Sequence, residues 1–245
     1  MKPLEIVRNA RAMHLTSKDG EEVLLGLVPG LSESEMKAFE ASLPCPLPGD
    51  IRELLAFCTG FAAGPAQCVD FTGRSFIFEA EAEFPHGLPI AADGYGNFWV
   101  VDLVPDSKAW GPIYFACHDP PVILFQSPTL DHFLVELFKC NTPPFKSLVD
   151  DVRRHRLYDV WRKNPGVLSY EMSLASQDPD LTAFARELGP SFQFIDLRDT
   201  EIGFGFSWGR YGADTVVRRL GSLPIFAYEK RMNPLRKLLR WFGQK

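Results

Sequence analysis

The sequence predicts an α+β fold with a smaller α+β region appended at the C-terminus. Apolar residues follow the spacing of an amphipathic helix twice, in Leu47–Cys58 and in Leu130–Phe138. Between these two segments, from Gln67 to Phe125, the apolar residues form short strand-like runs separated by turn residues. The chain therefore combines helices with a set of strands.

The N-terminal helices carry their own boundary signals. Ser32 followed by Glu35 is the pattern of a capping box, which predicts a helix from Leu31 to Leu43. The next helix, Leu47 to Phe57, is expected to end at Gly60, because glycine readily adopts the left-handed conformation that closes many helices.

The strand-like stretch contains several β candidates and one strong turn. Short strands are predicted at Cys68–Phe71, Ser75–Phe78, Ile113–Ala116 and Val122–Phe125. The segment 93–97, Asp-Gly-Tyr-Gly-Asn, predicts a tight hairpin, because glycine and asparagine tolerate a positive φ.

The chain divides near residue 141. A Pro-Pro break at 143–144 coincides with a change of charge: residues 1–141 hold 19 acidic and 9 basic residues, whereas residues 142–245 hold 12 and 17. We predict one binding domain over 1–141 and an appended α+β region over 142–245. The opposite charges suggest different surface roles, although two solvated surfaces that differ by chance explain them equally well.

The appended region has its own helix and strand patterns. Helices are predicted at Leu148–Trp161 and Asp178–Leu188, and strands at Phe192–Leu197, Ile202–Trp208, Thr215–Leu220 and Pro224–Tyr228. The last segment, Pro234–Phe242, is predicted to be a cationic amphipathic helix. We expect it to pack on its own domain, with weak peripheral contact to a membrane as the alternative.

The composition indicates a cytoplasmic protein without disulfides. Residues 1–16 include charged side chains and no apolar core of a signal peptide, and no apolar run is long enough to span a bilayer. The 5 cysteines are odd in number and form no C-x-x-C pair.

No residue pattern predicts an enzyme, a cofactor or a metal. Cys117-His118-Asp119 contains suitable residue types for catalysis, but neighbours on a strand point to opposite faces and cannot form a relay. The histidines lack metal-ligand spacing. Gly203–Gly209 departs from a dinucleotide-binding motif and is typical of a Gly-aromatic strand. A nucleic-acid partner is not expected, because no recognised motif accompanies the basic half.

The order of these segments resembles the SUKH superfamily, which includes a fungal cell-wall assembly regulator and many bacterial immunity proteins. The resemblance covers about residues 25–140 and depends on the helices at 31–43, 47–57 and 130–138 and on the hairpin at 90–103. It implies a mainly antiparallel sheet flanked by helices. It also implies a protein-binding module, in bacteria commonly one that neutralises a polymorphic toxin. The alternative is a regulatory or scaffolding protein that binds an endogenous partner.

Seven residues are candidate partner contacts. Three glutamates alternate with alanines and would form an anionic stripe for a basic partner such as a toxin domain; a charged edge against aggregation is the alternative. Two residues lie in the hairpin turn, where turn chemistry alone also explains the aspartate. Two tryptophans are either core residues, the commoner outcome, or interface anchors. The set is Glu79, Glu81, Glu83, Asp93, Tyr95, Trp99 and Trp110.

Overall fold

The structure is a computed structural model that describes residues 1–64, 66, 68–78, 80, 82–105, 107, 110–209 and 215–230. Its helices are α1 (Pro3–Ala12), α2 (Glu33–Ser42), α3 (Gly49–Phe57), α4 (Leu130–Lys139), α5 (Leu148–Asp151), α6 (Leu157–Lys163), α7 (Tyr170–Leu174) and α8 (Pro179–Leu188). A π-helical turn, Val152–Arg156, joins α5 to α6.

The strands of the described residues fall into two groups along the chain. The first group is β1 (Gly26–Pro29), β2 (Cys58–Ala63), β3 (Cys68–Asp70), β4 (Gly87–Ala92), β5 (Phe98–Asp102), β6 (Ile113–His118) and β7 (Pro121–Ser127). The second is β8 (Phe192–Asp196), β9 (Gly205–Ser207), β10 (Val217–Arg219) and β11 (Ile225–Glu229).

Within the described residues these strands form two antiparallel sheets. The large sheet has 8 strands in the order β1-β2-β3-β4-β5-β6-β7-β9, and the small sheet has 3 in the order β10-β11-β8. Each of β1 to β7 pairs with its neighbour in the chain, so this part is a meander. The α+β class, the antiparallel sheet flanked by helices and the smaller C-terminal sheet are confirmed.

The large sheet is buried on both faces in its centre. Alternate residues of β5 face opposite sides: Trp99 and Val101 belong to the core shared with the helices, whereas Val100 belongs to the core shared with the small sheet. This explains why β5, β6 and β7 are nearly continuous apolar runs rather than alternating ones. The far face of the small sheet packs against α8 through a third apolar cluster that includes Phe184 and Phe194.

Two structural features cross the predicted boundary at residue 141. Strand β9 pairs with β7 and so completes the large sheet. Asp102 on β5 and Arg219 on β10 form a bidentate ion pair, with Nη1–Oδ1 and Nη2–Oδ2 distances of 2.8 and 2.6 Å, and both side chains are 3% exposed. The division of the chain stays a prediction, but the two parts share a sheet and a core.

The structure confirms the capping box and corrects two local predictions. Ser32 Oγ accepts from the Glu35 amide while the Ser32 amide donates to Glu35 Oε2. Gly60, however, lies within β2 and is not a left-handed cap. A Cβ at this position would lie 1.9 Å from the carbonyl oxygen of Val69, so glycine is needed for close strand approach.

The predicted strand Ser75–Phe78 is wrong. Asp70 at the end of β3 accepts hydrogen bonds from the amides of Thr72 and Ser75, which fold the chain into a turn instead of a second strand. Phe76 and Phe78 then pack edge-on against Phe98 from this loop.

Some predictions fall outside the described residues. These are the side chains of Glu79 and Glu81 and the cationic helix predicted at Pro234–Phe242. Among the described helices, none has both the length and the apolar character required to cross a bilayer.

Candidate functional site

The β4–β5 turn is held rigidly by Asp93. Its Oδ1 accepts hydrogen bonds from the amides of Tyr95 and Asn97 at 2.9 and 3.3 Å, and its Oδ2 accepts one from Asn97 Nδ2 at 2.8 Å. Gly94 and Gly96 adopt φ values of 84° and 81°, which explains the two glycines of the motif. We call residues Asp93–Asn97 the hairpin tip.

Asn97 connects the hairpin tip to the end of β6. Because Asn97 Nδ2 donates to Asp93, its Oδ1 points to His118, where it accepts from the backbone amide at 3.1 Å and lies 3.0 Å from the ring Nδ1. The proton of a neutral His118 therefore resides on Nδ1, and Nε2 is an acceptor. The ring also stacks over Gly96, where an added Cβ would lie 3.0 Å from Cε1.

A cavity of about 350 Å³ opens beside the hairpin tip; we call it the tip pocket. Its floor is the face of β5, β6 and β7 that the small sheet leaves uncovered, one wall comes from the loop before β4, and Trp208 follows β9. The lining residues are Ile77, Phe78, Ala80, Glu83, Gly96, Phe98, Ala116, Cys117, His118, Ile123 and Trp208.

Glu83 is a buried acidic group in this largely apolar pocket. The residue is 9% exposed, and burial raises the pKa of its carboxyl, with a bond from its own backbone amide as a smaller opposing effect. No basic side chain of the described residues forms an ion pair with it. The nearby Arg219 guanidinium donates to the Glu83 carbonyl oxygen and directs its remaining donors elsewhere.

Two apolar side chains next to the pocket extend into solvent. Tyr95 at the hairpin tip is 81% exposed, and Ile77 on the pocket wall is 85% exposed. Together they place apolar surface on two sides of the mouth of the tip pocket.

The predicted site residues separate into different environments. Asp93 and Tyr95 form the hairpin tip, and Glu83 lies in the tip pocket instead of on an open acidic surface. Trp99 is 1% exposed, donates to Gln126 Oε1 at 3.0 Å and packs against Phe115, so it is a core residue.

Trp110 is also buried in the core, and within the described residues its Nε1 has no hydrogen-bond partner. For both tryptophans the structure therefore has the core placement that the sequence analysis favoured over an interface anchor.

Sequence reasoning missed His118, Ile77 and Trp208 as site residues. The Cys117-His118-Asp119 triplet drew attention to His118 only as a catalytic candidate. Trp208 lies far from Glu83 in the chain and reaches the pocket because β9 pairs with β7, a pairing that no local pattern indicates.

The chemistry of the described residues offers little for catalysis. Burial raises the pKa of the Cys58 and Cys117 thiols to about 11, which keeps them protonated and weakly nucleophilic at neutral pH. No group of three or more His, Cys, Asp or Glu side chains in the described part of the chain could hold a metal ion.

Residues 30–136 match the model of the SMI1 / KNR4 family (SUKH-1). The matched region runs from the start of α2 into α4 and includes the hairpin tip and most of the tip pocket. Neither the curated proteins nor the solved structures give a match to the chain.

Proposed function

Because residues 30–136 match the SUKH-1 family model, we propose that this chain is a non-enzymatic protein-binding module, an immunity protein that neutralises a toxin by direct binding in the cytoplasm. The family includes toxin-immunity proteins. We place the partner contact at the hairpin tip and the mouth of the tip pocket.

The observation that carries this placement is the rigid presentation of Tyr95. Three hydrogen bonds to Asp93 fix the turn, and Tyr95 projects from it with 81% of its surface exposed. Because the backbone of the turn is already ordered, binding through Tyr95 costs little additional backbone entropy, which favours its use as an interface anchor. Ile77 adds apolar surface on the other side of the pocket.

The charge of the chain supports a basic partner. Residues 1–141 carry 19 acidic and 9 basic side chains, so this part attracts a cationic toxin domain such as a nuclease. Association would then slow as salt increases, because exposed charges are screened beyond about 8 Å at physiological ionic strength.

The test needs a candidate toxin, and the best source is an adjacent gene that encodes a large secreted protein with a toxin-like C-terminus. The chain is then co-expressed with that toxin domain. We expect growth rescue by the wild type, and Tyr95→Ala to weaken binding of the purified toxin domain by tenfold or more, about 1.4 kcal/mol or above. Met172→Ala, an exposed apolar residue on α7, is the matched control and should leave affinity unchanged.

Two outcomes would contradict the proposal. Absence of both rescue and direct binding would remove the immunity role and favour a regulatory or scaffolding protein. Rescue that survives Tyr95→Ala with unchanged affinity would place the partner contact elsewhere on the molecule.

A further inference from the structure

We propose that the tip pocket receives an arginine or lysine side chain of the bound partner, with Glu83 as its counterion. This inference rests on the proposed function, because it assigns the cation to a protein partner. It goes beyond that function by naming the chemical group that is recognised and the residue that recognises it.

Glu83 differs from every other buried acidic residue in the described part of the chain. Asp102 pairs with Arg219, Asp150 pairs with Arg153 and Lys18, and Glu136 pairs with Lys139. Glu83 is also buried, at 9% exposure, and no basic side chain in the described part of the chain forms an ion pair with it. Since an unpaired buried carboxylate is unfavourable, a cation that enters the pocket would stabilise the charged form of Glu83.

The remaining lining suits a cation better than an anion. Phe78, Phe98 and Trp208 provide aromatic surface, and a guanidinium or ammonium group is attracted to the faces of such rings. His118 adds a second acceptor, because its Nδ1 proton is directed to Asn97 and its Nε2 can accept.

The size of the pocket and its position agree with a single side chain. Its volume of about 350 Å³ leaves room for one long side chain. The pocket adjoins Tyr95 and Ile77, so a side chain that enters it would project from a partner seated on these two residues. Two more acidic residues, Glu79 and Glu81, flank Ala80 in the sequence.

The experiment measures binding of two small probes to the full chain by calorimetry or NMR titration. N-acetyl-arginine amide carries the cation, and N-acetyl-citrulline amide has nearly the same shape without charge. We expect the wild type to prefer the arginine probe by about tenfold or more, as for a charge-assisted hydrogen bond in a buried site.

Glu83→Gln keeps the shape of the side chain and removes its charge, so this variant should bind the two probes equally. Glu187→Gln makes the same charge change on an exposed face of α8 and should keep the wild-type preference. Ala116→Leu, which fills the floor of the tip pocket, should abolish binding of both probes even if Glu83→Gln fails to fold.

Equal binding of the two probes by the wild type would overturn the proposal. So would an unchanged arginine preference in Glu83→Gln, or no detectable binding of either probe by the wild type. Failure of the proposed function is a separate result: arginine-selective binding without toxin rescue would leave the pocket chemistry intact and remove only the toxin as its source.

Discussion

Glu83 carries a carboxyl group whose ionisation the fold opposes. It lines the tip pocket together with Phe78, Phe98 and Ile123, and desolvation raises the pKa of its carboxyl. Among the described residues, other ionisable groups near it are His118 and Cys117, in the same pocket, and Arg219, which donates to the Glu83 carbonyl oxygen and is paired with Asp102. The charged form of Glu83 therefore lowers the free energy of unfolding of the free protein.

Glu83→Gln should stabilise the free protein in a pH-dependent way. Because the carboxyl pKa is higher in the folded than in the unfolded state, the wild type loses stability as pH rises through this interval, and the variant does not. Thermal unfolding near pH 8 should show a higher midpoint for the variant, whereas near pH 3, where both states are protonated, the midpoints should coincide. A variant that is less stable near pH 8 would contradict the prediction.

At the scale of the element, the β4–β5 hairpin depends on glycines for two separate reasons. Gly96 needs a positive φ of 81°, and it also lies under the His118 ring. Gly20 has a similar φ of 84° but no heavy atom within 4 Å of an added Cβ. A comparison of Gly20 with Gly96 therefore separates the cost of a side chain at positive φ from the cost of its contact with the His118 ring.

Gly96→Ala should therefore destabilise the protein more than Gly20→Ala. Both replacements put a side chain at positive φ, which costs about 1–2 kcal/mol, and Gly96→Ala also displaces the His118 ring. Urea unfolding measures the two losses, and the His118 ring resonances should shift in Gly96→Ala alone. Equal losses and unshifted resonances would show that the ring contact has no energetic role.

How far the sequence predicts an element depends on whether the interactions that define it are local. The capping box of α2 and the turn at Asp93 involve residues within four positions of each other, and both were predicted. The role of Gly60 depends on a neighbouring strand, and the loop at Ser75 depends on an Asp70 side chain that competes with strand pairing.

The same distinction applies to the candidate site: its local part is predictable from the sequence, and its non-local part is not. The hairpin tip is local in sequence, so Asp93 and Tyr95 could be singled out. The tip pocket combines Glu83, His118 and Trp208 from three distant segments, and only the strand order brings these together.

At the scale of the whole molecule, the two halves of the chain share one interior. The core between the sheets contains Val100, Tyr114 and Ile123 from the large sheet and Phe206 and Phe226 from the C-terminal part. Removal of the C-terminal part would expose the first three of these residues to water and leave Asp102 buried without Arg219.

A fragment that ends at residue 141 should therefore aggregate or lose cooperative unfolding. Size-exclusion chromatography and heteronuclear NMR of this fragment are the measurements, with the full chain as the control. A monomeric fragment with dispersed amide signals and full-chain stability would show that residues 1–141 fold alone.

The large sheet is completed late in synthesis, because its last strand, β9, follows β7 only after a long stretch of chain. Strands β1 to β7 pair in chain order, so they can form as they leave the ribosome, because each pair is closer along the chain than β7 and β9 are. Strand β9 arrives only after helices α4–α8 have been synthesised. Until then the outer edge of β7, an apolar strand, stays open to pairing with another nascent chain. Pairing of β9 with β7 covers this edge. The time that passes before β9 pairs therefore determines how long each new molecule can misassemble.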